Sequence, residues 1–232
     1  MKNVRPDFSE YLVHFTKDSK PITAAEFDEQ EIKEIQKKSA SERFLSILDS
    51  GKIFSTRMPW TNRNAICFTE CTWGGLLYHS RNYSKYGIGF SKAFVFSRGG
   101  GPAVYMPPGL MEHQKTHIRG LTGAGSEEVL EPFDSHLYAF MTPFCPVYAP
   151  KEYKDSFWKG KKPIDYSHER EWRIPHNLDF DLTDVAFVIV ATYKDMAEAP
   201  TELKDKIGRE NWIIMENYER VERLWPVHNT PE

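Results

Sequence analysis

A chain of 232 residues is long enough for one sizeable domain, and 40% apolar with 27% charged residues is ordinary for a globular protein in water. A net charge of −3, an isoelectric point near 6.3 and the lack of any basic tract exclude a strong electrostatic grip on duplex nucleic acid, while leaving a short unpaired strand open. No stretch approaches the roughly 18 apolar residues of a membrane helix, and the start Met1-Lys-Asn-Val-Arg-Pro lacks the apolar run of a signal peptide, so a cytoplasmic protein is expected.

Tyr11 to Thr16 (YLVHFT) reads as a first strand ending in His14, Phe15 and Thr16. Residues 24–38 are weakly amphipathic, with Phe27, Ile32 and Ile35 facing a core. Ser39-x-x-Glu42 is a capping-box pattern opening a helix that Gly51 ends; together these make residues 24–50 a helical insertion. Ala65 to Thr69 predicts a buried strand, and Leu76 to Tyr83 a helix. A dense aromatic–glycine tract follows, from Tyr83 through Tyr86-Gly-Ile-Gly-Phe90 to Pro102, and then a strand at Ala103–Met106. Residues 107–163 read as irregular and loop-rich; helical spacing at 126–140 is broken by Pro132, and three prolines fall in 142–150. Val185 to Thr192 predicts a buried strand, Ala199 to Ile207 a helix, Trp212 to Met215 a last strand, and Tyr218 to Leu224 a terminal helix or turn. Strands outnumber helices in irregular order, which argues for a single α+β domain over residues 1–232 rather than a doubly wound sheet.

Common nucleotide signatures and the acyl-transfer serine elbow are missing. Cys67, Cys71 and Cys145 are an odd count with no second Cys pair, so buried reduced thiols are expected and no metal. His113 and His117 lie beside Pro107-Pro108 with no carboxylate between them, and chance accounts for their spacing. The stretch with most chemistry is Tyr166-Ser-His-Glu169-Arg-Glu171-Trp-Arg173-Ile-Pro175. Read as extended, it places Glu169, Glu171 and Arg173 on one face and Arg170 and Trp172 on the other. An edge strand laced with ion pairs, or a structural Glu171–Arg173 pair, would use the same residues.

The order His14-Phe15-Thr16, then Ile-Leu-x-x-Gly, then Cys67-Phe68-Thr69-Glu70, then Tyr86-Gly-Ile-Gly-Phe90-Ser-Lys, then Glu169-Arg-Glu171-Trp-Arg resembles abortive-phage-resistance proteins of the AbiGi type. These in turn resemble the ADP-ribosyltransferase superfamily, including the DarT-like and CmdT-like toxins. The resemblance implies a split mixed β-sheet with flanking helices, and NAD as substrate without a metal. It carries His14, Phe15, Thr16 and Phe68 to the cofactor site, Tyr86 or Phe90 to stacking on nicotinamide, Glu171 to the nicotinamide ribose and Glu169 to the incoming nucleophile. A carboxylate there would stabilise an oxocarbenium-like centre, an aromatic face suits a cationic ring, and glycines 87 and 89 would let the backbone approach the ligand. The function so implied is an NAD-dependent ADP-ribosyltransferase, a phage-defence toxin modifying a base of RNA or single-stranded DNA and held by an antitoxin protein. Two alternatives stay open: an NAD glycohydrolase, and a catalytically degenerate fold acting as a binding protein or antitoxin. All the named residues are expected to converge on one cleft.

Overall fold

Short apolar runs, most bounded by glycine, proline or polar turns, pair into one central sheet. A computed structural model describes residues 8–18, 37–61, 63–70, 72, 75–111, 113, 136–145 and 165–224. The strands before the glycine tract are β1 (Tyr11–Phe15), β2 (Lys52–Ile53), β3 (Thr56–Arg57) and β4 (Asn64–Thr69). Then come β5 (Gly87–Ser91), β6 (Gly101–Pro102), β7 (Val104–Met106) and β8 (Met141–Pro143). The last four are β9 (Glu171–Ile174), β10 (Leu178–Asp179), β11 (Val185–Val190) and β12 (Trp212–Ile214). Among the described residues the helices are α1 (Ala40–Ser50), α2 (Leu76–Asn82), α3 (Lys92–Ser97), α4 (Tyr193–Glu198), α5 (Thr201–Ile207) and α6 (Met215–Leu224), with short helical stretches besides.

The main sheet runs β12-β11-β5-β1-β4-β9-β6, with β3 also on β4. It is mixed: β11 and β12 are parallel, whereas β1 is antiparallel to both β4 and β5. Alternate residues serve opposite faces, as the pleat requires. Leu12, Phe68, Phe90, Ile174 and Val188 join Phe44 and Leu48 of α1 and Leu203 and Ile207 of α5 in one core. Val13, Phe15 and Ile189 pack with Leu76 and Leu77 of α2 and with Met215 and Tyr218 of α6. Helices therefore cover both faces of the α+β architecture.

The expected capping box closes α1: the Glu42 amide donates to Ser39 Oγ at 3.3 Å, and the Ser39 amide to Glu42 Oε2 at 2.7 Å. Gly51 ends the helix at φ +62°, and a Cβ there would meet the Phe180 carbonyl oxygen at 2.7 Å. Most of the remaining 24–38 reading lies outside the described residues, as do Cys71, His117, residues 126–135 and 146–163. One reading needs correction. Residues 141–143, expected to be irregular, form β8 and pair in parallel with β7. The aromatic–glycine tract is a strand running straight into α3, where the Ser91 hydroxyl accepts from the Phe94 amide at 3.1 Å.

Candidate functional site

Whereas β1 pairs with β5 along its whole length, it meets β4 only where Val13 lies opposite Thr69. Beyond that pair the strands part, and a side chain bridges them: His14 Nδ1 lies 3.0 Å from the Cys67 carbonyl. A carbonyl only accepts, so Nδ1 carries the proton and Nε2 presents a lone pair. Burial lowers the pKa of His14 against the opposing effect of that hydrogen bond, which favours the neutral ring. At the other end of the same edge of β4, β3 pairs Thr56 with Ala65. Against the open stretch between β1 and β3 lies a cavity of about 400 Å³.

Five of the expected site residues line this cavity: His14, Phe15, Thr16, Glu169 and Glu171. The Thr16 amide donates to the Tyr86 carbonyl at 3.0 Å and its hydroxyl to the Ala40 carbonyl at 2.8 Å, so it ties the end of β1 to the start of α1. Phe15 stacks on Tyr83, their ring centroids 5.9 Å apart.

The two carboxylates reach the cavity by different routes. Strand alternation does not place Glu169 beside Glu171, because the strand begins at Glu171. Glu169 closes a 3-10 turn, and Arg170 then turns the chain in the left-handed region at φ +44°. A non-glycine residue there costs about 1–2 kcal/mol, and the buried Glu70 is placed to hold it. The Glu70 amide donates to the Arg170 carbonyl at 3.3 Å, and its carboxylate lies 3.6 Å from Arg170 Nη1. The same carboxylate accepts from the Ser9 amide at 3.1 Å and lies 2.9 Å from Lys92 Nζ. Glu169 so placed accepts from the Tyr83 hydroxyl at 2.5 Å. Burial raises its pKa, with the Tyr83 bond opposing.

Glu171 is held as one half of a buried ion pair. Arg173 Nε donates to Oε1 at 3.0 Å and Nη2 to Oε2 at 2.6 Å, while the Thr142 hydroxyl lies 3.4 Å from Oε2. Arg173 is fully buried; its Nη1 donates to the Ala139 and Met141 carbonyls at 2.7 and 2.8 Å, and Nη2 also reaches Thr142. All five guanidinium N–H donors thus have acceptors. Cys67, opposite Arg173 in the register, has its thiol pKa pushed up by burial and then by the Glu171 charge, which keeps it protonated and unreactive.

The other expected residues stay out of the cavity lining. Phe90 is fully buried in the core, with its ring 5.1 Å from Phe180 and 5.3 Å from Phe94. Phe68 is equally buried, 5.8 Å from the His14 ring. The Tyr86 ring packs on Phe44 at 5.9 Å. Glycines 87 and 89 answer to packing rather than to a ligand: a Cβ on Gly87 would fall 2.7 Å from Val13 Cγ1, and one on Gly89 2.6 Å from the Phe187 ring. Convergence therefore holds for the ends of β1 and the start of β9 and fails for the aromatic–glycine tract.

Two features of the cavity carried no sequence signal. Tyr83, read only as the end of a helix and the head of that tract, is its half-buried aromatic wall, and Lys17 Nζ sits 3.7 Å over its ring. Among the described residues five basic side chains, Lys17, Lys38, Arg43, Lys52 and Arg57, line the walls, drawn from the turn after β1, from α1 and the residues leading into it, and from β2–β3. Among the described residues no cluster of three His, Cys, Asp or Glu could hold a metal ion, and no helix is long and apolar enough to cross a membrane.

Residues 33–204, well over half of the chain, match the family described as "Putative abortive phage resistance protein AbiGi, antitoxin". No curated protein and no solved structure matches the chain. A family of antitoxins overturns the assignment of this chain to ADP-ribosyltransferase toxins, and with it the expectation that an antitoxin is its partner.

Proposed function

The chain belongs to the AbiGi family, and from that premise we propose that it is the antitoxin of an abortive-infection pair, neutralising a toxin by binding rather than by catalysis. The observation that carries the non-catalytic part is the state of Glu171. Both oxygens of its carboxylate are engaged by a guanidinium that is itself fully buried and saturated with acceptors. A carboxylate whose charge is already matched by a buried guanidinium has less to offer a developing positive charge. Glu171 instead neutralises Arg173, and the pair fastens β9 to the 139–142 segment. The cavity residues around it serve the same end, since His14 bridges the parting strands and Thr16 ties β1 to α1. The site is built as a scaffold, which suits a protein whose work is to present a fixed surface.

Expression of the chain alone in a bacterial host tests this reading. An antitoxin without its toxin leaves growth equal to that of an empty-vector control. Growth arrest on induction, abolished by Glu171→Gln at equal protein level, would overturn it.

A further inference from the structure

We propose that the cavity between β1, α1 and the β2–β3 segment binds a small phosphate-bearing ligand that also carries an apolar group. The chain as a whole is slightly acidic, with 30 Lys and Arg against 33 Asp and Glu. Among the described residues the cavity reverses that balance: five basic side chains line it against two carboxylates, Glu169 and Glu171. Glu171 is charge-matched by Arg173, and burial favours the neutral form of Glu169. The local field is therefore that of a cationic pocket, and low-dielectric walls strengthen its pull on an anion.

Arg43 supplies the second observation. Its Nε donates to the Lys38 carbonyl at 3.2 Å, but its Nη2 is buried without a hydrogen-bond partner among the described residues. A buried guanidinium nitrogen without an acceptor is costly, and a phosphate oxygen is the acceptor its planar fork fits best. Lys38 and Lys52 are held by a neutral group and by a long contact. Lys38 Nζ donates to Ser46 Oγ at 3.0 Å, and the Lys52 contact with Asp179 is long, at 3.7 Å, and solvent-exposed. Asp18, the nearby carboxylate, accepts from the Ala40 amide at 2.8 Å. Between the cations the wall is apolar, with the half-buried Ile47 and the exposed Phe54 lying over the buried Ala65, Ile66 and Ile53. A volume of about 400 Å³ falls within the range of small-molecule sites. The ligand so described sets its phosphate on the basic wall and a flat or apolar group on Ile47 and Phe54. This inference is independent of toxin neutralisation, and its test uses no toxin.

Calorimetric titration of the whole chain with ADP, inorganic pyrophosphate and adenosine tests it. ADP is expected to bind, with pyrophosphate weaker because it leaves the apolar wall uncovered, and adenosine weaker by roughly tenfold or more because it lacks the charge. Arg43→Gln and Arg57→Gln are each expected to weaken ADP binding roughly tenfold, and added salt to weaken it further. Arg57 is exposed on β3, so its variant keeps the fold even if Arg43→Gln does not. Absence of binding by both ADP and pyrophosphate would overturn the proposal. So would ADP binding that neither variant alters, or adenosine binding as tightly as ADP; pyrophosphate binding as tightly as ADP would remove the apolar contact.

Discussion

Replacing Glu171 by Gln probes the element on which the functional reading turns. The substitution keeps the shape of the side chain but removes its charge, and it offers Arg173 one oxygen where there were two. The two bonds at risk are those from Arg173 Nε at 3.0 Å and Nη2 at 2.6 Å. Charge-assisted bonds of this kind contribute about 1.5–3 kcal/mol each. Arg173 has no solvent to turn to, being fully buried, so its charge would remain uncompensated inside the protein. Breaking a buried pair from one side costs about 3–5 kcal/mol. That is a large share of the stability of about 5–15 kcal/mol typical of a domain. Urea unfolding should show a lower midpoint with unchanged slope for Glu171→Gln. Removing both charges in Glu171→Leu/Arg173→Met should cost clearly less than the two single changes added together, because no charge is then left unpaired. A Glu171→Gln protein within about 0.5 kcal/mol of the parent, the range of an ordinary surface change, would refute the scaffold role of the pair.

Two further outcomes follow from the packing and the titrations. Gly87→Ala should destabilise by about 1–3 kcal/mol, since its Cβ would lie 2.7 Å from the fully buried Val13; urea midpoints should show a smaller loss in a Val13→Ala background, and an equal loss would contradict the contact. His79 is buried, and burial, with His168 adding to it, pulls its pKa from 6.5 down to about 4. A folded pKa below the unfolded one gives stability that is present above pH 6.5 and lost as pH falls toward about 4, by up to ~3 kcal/mol. Thermal unfolding across that window should steepen for the parent and flatten for His79→Leu, and parallel curves would contradict it.

What could be read from the sequence was local. The capping box at Ser39 and Glu42, the glycine stop at Gly51 and the apolar run of β11 each carry their cause within a few residues, and the structure matches them. The segment around Glu171 was legible as charged but not in its geometry. Alternation assumes an unbroken strand, and the left-handed Arg170, stabilised by Glu70 a hundred positions earlier, interrupts it. Phe90 and glycines 87 and 89 misled for a related reason. An aromatic–glycine pattern serves ligand approach and tight sheet packing alike, and only the positions of Val13 and Phe187 decide between them. The basic wall was invisible because its members come from separate elements and the net charge conceals them. The resemblance found the AbiGi family but held the antitoxin only as an alternative to a toxin, whereas the family description names an antitoxin.

The most direct test of a protein that acts by binding and not by catalysis is nicotinamide release. Purified chain is incubated with NAD alone, with total RNA and with single-stranded DNA, and free nicotinamide is followed over time. Release is expected to be no faster than in buffer under all three conditions, with parent and Glu171→Gln proteins indistinguishable. Release by the parent protein that Glu171→Gln abolishes while remaining folded would contradict it.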